Sequence, residues 1–244
     1  MIFLRTTSLI VTVPIFGDQS VPVQLKAALG LFLSLVLLPL QLPLLTIVDT
    51  KLAGIVVLAL REIIVGAVIG YATGLIFDGV RFAGDLIGFG MGFALASTFD
   101  PETNANTPVI GQLLYILVAM FFLLLNGHHF VLQALRLSYL SVPLGHLTLS
   151  SHLADSLTKL TGLVFVVAVK LAAPVIVAIF LADVALAILT RIAPQMNIFS
   201  VAFALKIGVG LIVLSSSLPV LIYVFKKLLG TFEGNIVELV KALA

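Results

Sequence analysis

Along this chain, long apolar runs alternate with short polar breaks. A moderately apolar segment, residues 6–16, ends at a Phe16–Pro22 turn, and residues 25–48 follow, with Pro39 and Pro43 placed to kink or end a helix. Asp49-Thr50-Lys51 separates that run from the next, 52–77. Residues 109–125 are apolar up to Asn126-Gly127-His128-His129, and a further piece, 130–140, stops at Ser141–Gly145. The chain is polar over 146–159. It becomes apolar over 160–192, turns at Pro194–Asn197, and runs apolar again over 198–225 before Lys226-Lys227 and an amphipathic tail, 232–244. A bilayer-crossing helix needs about 20 apolar residues. The roughly ten-residue alternation of an outer-membrane barrel is absent. The pattern predicts an all-α integral membrane protein divided by a linker at 146–159, with a helical hairpin turning near 194–197.

One stretch breaks this pattern. Residues 84–108, GDLIGFGMGFALASTFDPETNANTP, begin as a membrane segment, but the apolar run from Leu86 to Phe99 stops at Asp100-Pro101. A run that short predicts a re-entrant or protein-buried segment. Irregular backbone at membrane depth is tolerated only where protein buries it or where it lines a water-filled path. Gly84, Gly88, Gly90 and Gly92 permit close backbone approach, while Phe89, Met91, Phe93 and Phe99 supply bulk. Such a segment has the composition of a deformable stopper in a conduit.

Composition strengthens the membrane reading. Aliphatic and aromatic residues fill 61% of 244 positions and charged residues only 10%, against about 25% charged in soluble domains. A net charge of +2 gives no footing for nucleic acid, and the absence of cysteine excludes disulfides and thiolate metal sites. Residues 6–16 read as the second half of a helix. They do not read as a cleaved signal, which opens on a basic region and ends at small residues. The acidic 100–107 loop favours the outer side and Lys226-Lys227 the cytoplasm.

Several residues invite a sharper reading. Gly66, Gly70 and Gly74 recur every four positions and so share one helical face, a pattern that brings membrane helices together. Asp78, Arg81 and Asp85 also share a face, as a solvated helix end or an inter-subunit contact. Lys170 lies within an apolar run and needs a partner carboxylate, for which Glu62 and Asp183 are the candidates. Arg61 and Glu62 are adjacent, point about 100° apart on a helix, and must each find partners elsewhere. His128-His129 lacks a local ligand set and reads as helix-end capping and hydrogen bonding, so no metal is assigned. No HExxH, GxSxG or P-loop pattern occurs. No catalytic residue and no cofactor is assigned, and the chain is expected to move or hold something without transforming it.

Taken together, PIFG at 14–17, VPVQLKAALGL at 21–31, REIIVGAVIGY at 61–71, GDLIGFGMGFALASTFDP at 84–101, FLLLNGHHF at 122–130 and RIAPQMNIFSVAFALKIGVGL at 191–211 resemble the FliR/SctT family of type III secretion export-gate proteins. NGHH and PQMNIF look closer to its flagellar branch. The resemblance implies a FliP-like half over 1–145, the linker at 146–159, and a FliQ-like hairpin with its tail over 160–244. It implies assembly with FliP and FliQ into a closed funnel in the bacterial inner membrane, within the flagellar basal body. Contacts with FlhB and FlhA, and passage of unfolded flagellar proteins, follow from it too. It also implies a plug within 88–108, formed by Gly88, Phe89, Gly90, Met91, Gly92, Phe93, Phe99, Asp100 and Pro101. Gly66, Gly70, Gly74 and Gly84 would pack helices, and Arg61, Glu62, Lys170 and Asp183 would be buried or meet other subunits. Two other readings stand beside it: an injectisome SctT subunit, and an ion-coupled secondary transporter using Lys170, Glu62 and Asp183 at the midplane.

Overall fold

Apolar side chains that cannot be left in water, and backbone groups that cannot be left unpaired in lipid, make most of the described residues helical. The computed structural model describes residues 1–41, 52–93, 108–145, 147, 151–193 and 198–243. Its helices in chain order are α1 Ile2–Thr12, α2 Val23–Gln41, α3 Leu52–Met91, α4 Val109–Leu124, α5 Gly127–Ser141, α6 Ser151–Ile192 and α7 Ile198–Ala242. No strand occurs among the described residues. Three helices, α3, α6 and α7, are long and apolar enough to cross a membrane, and a fourth span results if α4 and α5 form one broken crossing. The all-α membrane class expected from the hydropathy pattern is borne out.

Boundaries differ from the expectations in instructive ways. The first helix covers Ile2–Thr12 and so encloses Arg5; it ends ahead of Pro14, beside which Ile15 sits at φ 75°. A β-branched residue in that region is strained. Gly17 closes the turn, because a side chain there would strike the Val11 carbonyl. Lys26 Nζ donates to Gly17 O at 2.9 Å. The Ser20 hydroxyl and amide donate to Asp18 Oδ1 at 2.6 and 2.8 Å, which holds that exposed carboxyl below its usual range.

In α2, Pro39 lies inside the helix and the helix ends at Gln41; Pro43 is outside the described residues. The expected stop near residue 77 does not exist. α3 continues for 40 residues, about 60 Å at 1.5 Å per residue, so Asp78, Arg81 and Asp85 lie mid-helix. Likewise, residues 151–159 form the first turns of the 42-residue α6.

Two compact units form. The first comprises residues 1–77, 122–162 and 228–244, and the second 78–121 and 163–227, so α3, α6 and α7 contribute to both. In the first unit α1 packs on α2, Gly30 meeting Thr7. α1 also packs on the glycine face of α3. A Cβ on Gly66 would collide with Ser8 Oγ and the Arg5 carbonyl, and one on Gly70 with Thr12 Oγ1, whereas one on Gly74 would meet Pro14 at an ordinary 3.7 Å. In the second unit α3 crosses α4 where Gly84 meets Gly111, an added Cβ on Gly84 reaching Gly111 Cα at 2.6 Å.

These distances rank the glycines. Gly66→Ala and Gly70→Ala should each destabilise the detergent-purified protein by about 1–3 kcal/mol, the usual cost of overpacking. Gly74→Ala should leave thermal unfolding unchanged. Equal effects at all three positions would contradict the packing described.

Candidate functional site

The stretch singled out in the sequence starts as ordinary helix. Gly88, Phe89, Gly90 and Met91 are the last residues of α3. Gly92 then turns the chain at φ 89°, donating its N–H to Phe89 O at 3.0 Å. Only glycine adopts that conformation without strain. Helical periodicity sorts the side chains that follow. Met91 is fully buried and presses against Gly210 of α7, a Cβ added to Gly90 would lie 3.4 Å from Ile179 of α6, and one added to Gly88 would lie 3.7 Å from Ile110 of α4. Phe93 meets Phe203 edge-on, ring centroids 6.4 Å apart. Phe89 points away from these contacts and is 75% exposed. Phe99, Asp100 and Pro101 lie outside the described residues.

Nothing polar anchors this end of α3 among the described residues beyond the Gly92 amide bond. One turn back, Asp85 Oδ1 is buried against Gly111 without a hydrogen-bond partner among the described residues. The contacts of Met91 and Phe93 are dispersion and apolar burial, so displacing them leaves no orphaned donor or acceptor. Burying a methionine contributes about 1.5–3 kcal/mol.

The first unit contains the opposite kind of site. Arg5 and Glu62 are both fully buried and joined in a fork, Nε donating to Oε2 at 2.7 Å and Nη2 to Oε1 at 3.1 Å. Nη1 donates to the carbonyls of Ser138 and Val142 at the end of α5, both at 3.0 Å. A cation is favoured there by the helix dipole and by the Val142 carbonyl beyond the last turn, while the Ser138 carbonyl also accepts the Val142 N–H at 2.9 Å. The guanidinium also lies 4.5 Å from the centre of the Tyr139 ring. The Tyr139 hydroxyl donates to Ile2 O at 3.0 Å and is 3.1 Å from Thr6 Oγ1. Glu62 Oε1 accepts the Gly145 N–H at 2.8 Å, while Arg61 Nη1 donates to Gly145 O at 2.7 Å. Adjacent residues of α3 thus grip both polar groups of Gly145, whose φ is 81°.

Glu62 lies four residues before Gly66, so the face of α3 that carries the charge also carries the glycines. Arg5, Ser8 and Thr12 present the complementary face of α1. The hydropathy pattern assigns Arg5 no role. The available signal was a charge enclosed by apolar residues near the Thr/Ser-bearing face of a short helix.

The expected pairing of Lys170 with Glu62 or Asp183 is not formed. Glu62 is taken by Arg5, and Asp183 by Lys206 of α7 at 2.6 Å, where both side chains are partly exposed. Lys170 is exposed on α6, as Arg61 is on α3. The histidines do not cap α5. Asn126, at φ 59°, makes the break and accepts the His129 N–H at 2.9 Å. The His128 and His129 rings lie 4.4 Å apart at a 57° tilt, and His128 Nδ1 has no partner among the described residues. No group of three or more His, Asp or Glu side chains suited to a metal occurs among the described residues.

The arrangement makes a direct prediction. Arg5→Met or Glu62→Gln should each cost about 3–5 kcal/mol, the penalty for stranding a buried charge or its hydrogen bonds. Combining Arg5→Met with Glu62→Met should recover only part of the loss, because the Val142 carbonyl and the Gly145 N–H lose their partners. A double-mutant cycle on thermal unfolding reads both effects, and full recovery would contradict the three-element anchor.

Comparison with known proteins adds an independent observation. Residues 1–232 match the family model for bacterial export proteins, family 1. The chain is 34% identical over 219 residues to a flagellar biosynthetic protein FliR from Pectobacterium carotovorum subsp. carotovorum, covering 90% of this chain and 83% of that one. It is 32% identical over 231 residues to a FliR from Bacillus subtilis (strain 168), covering 93% and 88%. It is also 36% identical over 149 residues to the surface presentation of antigens protein SpaR from Shigella flexneri, covering 61% of this chain and 57% of that protein.

Proposed function

The chain belongs to family 1 of the bacterial export proteins, and from that premise we propose that it is a membrane subunit of a flagellar-type protein export gate. The observation that carries the reading is identity above 30% to FliR proteins sustained over about nine-tenths of the chain. In this reading the subunit assembles with FliP and FliQ in the inner membrane of the flagellar basal body and contacts FlhB and FlhA. Unfolded flagellar proteins pass through the funnel so formed. Residues 1–145 form the FliP-like half, 146–159 the connection, and 160–244 the FliQ-like half, which α6 and α7 supply. The role is non-enzymatic.

The plug is residues 88–108. Met91 and Phe93 hold its near end by apolar contact alone, and Gly92 turns the chain there. A closure of this kind is set by a few kcal/mol of burial, enough to keep the open population small at rest and small enough to yield to a chain fed from below. The SpaR similarity keeps an injectisome gate as a second reading. The transporter reading loses its support, since Glu62 and Asp183 are engaged by Arg5 and Lys206.

Deleting residues 88–108, or changing Phe89, Met91, Phe93 and Phe99 to glycine, should leave the complex assembled but leaky to small ions in cells. Ion permeability equal to wild type would remove the plug assignment. Failure of the full chain to co-purify with FliP and FliQ would remove the subunit assignment itself.

A further inference from the structure

Within the second unit, the end of α3 meets both arms of the α6–α7 hairpin. A Cβ on Gly90 would lie 3.4 Å from Ile179 on α6, while Met91 presses on Gly210 and Phe93 meets Phe203 on α7. The same hairpin carries the Asp183–Lys206 ion pair, 2.6 Å between Oδ1 and Nζ. The plug reading gives that pair no part.

Helical periodicity puts it on the faces that receive α3. Asp183 follows Ile179 by four residues, one turn along the same side of α6. On α7, Lys206 comes three residues after Phe203 and four before Gly210, so the three fall within about 60° of arc. The two points at which α7 receives α3 therefore bracket the ammonium. The pair is also well removed from the turn that joins the arms. It lies nine residues before the end of α6 at Ile192 and eight after the start of α7 at Ile198, roughly 12–14 Å along each arm. A contact at that height opposes splaying, which a tie at the turn alone does not.

Splaying matters because the seat of α3 is apolar. Dispersion contacts lose about a quarter to a half of their attraction over a gap of 0.5–1 Å. We propose that the Asp183–Lys206 pair is a clasp that sets the spacing of α6 and α7 and so holds Met91 and Phe93 in place. Both are positioning residues, acting through Ile179 and Phe203. Their side chains are 44% and 25% exposed, and a pair that accessible contributes modestly and exchanges readily. The inference deepens the plug reading and rests on it for one consequence, that an opened clasp leaks ions.

The test uses the full chain in its membrane assembly and reports on Met91 directly. The chain has no cysteine, so Met91→Cys supplies a single thiol whose reaction with N-ethylmaleimide measures how often the seat opens. Lys206→Met or Asp183→Asn should raise the labelling rate about two- to five-fold, as expected for a partly exposed pair. Lys206→Glu, which sets two acids face to face, should raise it further, and adding Asp183→Lys should bring it back towards the starting rate. In a separate chain, Ile69→Cys, at a fully buried position of the first unit, should keep its rate throughout. A Met91→Cys rate that Lys206→Met leaves unchanged would overturn the proposal, and so would a reversed pair that recovers nothing. Equal gains at positions 91 and 69 would also overturn it, because they report loosening of the whole chain. Faster labelling in a membrane that stays tight to ions keeps the clasp and removes the plug reading. An ion leak from the plug substitutions, with no labelling response to the pair, keeps the plug and removes the clasp.

Discussion

At depths where no water can solvate a charge, the Arg5 guanidinium and the Glu62 carboxylate have only each other and the neighbouring backbone, and the geometry of the first unit follows from that. The fork has a fixed shape, so Glu62 can meet it only if α1 lies along one face of α3 in one register. That register sets Ser8 and Thr12 against Gly66 and Gly70, where the absence of side chains allows the helices to close. The remaining guanidinium donors reach the end of α5, and the free Glu62 oxygen site takes the Gly145 amide. Replacing the ion pair with apolar groups would not be neutral here, because the Val142 carbonyl and the Gly145 N–H depend on it.

The second unit is assembled on a different principle. Its helices meet through small residues and apolar insertion: Gly84 on Gly111, Met91 on Gly210, Phe93 on Phe203. Contacts of this kind are short-ranged and non-directional, and they can be exchanged for similar contacts with little penalty. A polar lock suits an element whose register must not slip. An apolar latch suits one that is to be displaced and to return. The two ends of α3 therefore differ in physical character, although both are rich in glycine.

Much of this could be read from the residues, and the failures have specific causes. The glycine ladder at 66, 70 and 74 was legible because periodicity alone places those positions on one face, yet only Gly66 and Gly70 are tightly engaged, a difference set by what lies opposite them. The need of Arg61 and Glu62 for separate partners followed from adjacent placement on a helix, but their convergence on Gly145 did not, because it depends on a turn over 80 residues away. The role of Arg5 was not legible, because its partner Glu62 is 57 residues away in the chain. The supposed helix end at 77 was a charge cluster inside a helix, where Asp78 and Arg81 find exposure without any break.

By itself, the sequence determined that this is an all-α membrane protein, where most polar breaks fall, and which family it joins. The first two rest on hydropathy and local periodicity, which are sums over neighbouring residues, and the third on the resemblance of several motifs taken together. Tertiary structure alone decided which charges are partnered. Glu62 goes to Arg5, Asp183 goes to Lys206, and Lys170 is left facing outward. The reason is physical: an ion pair in a low-dielectric interior depends on ångström-scale approach between side chains far apart in the chain, and no pattern of neighbours encodes that distance.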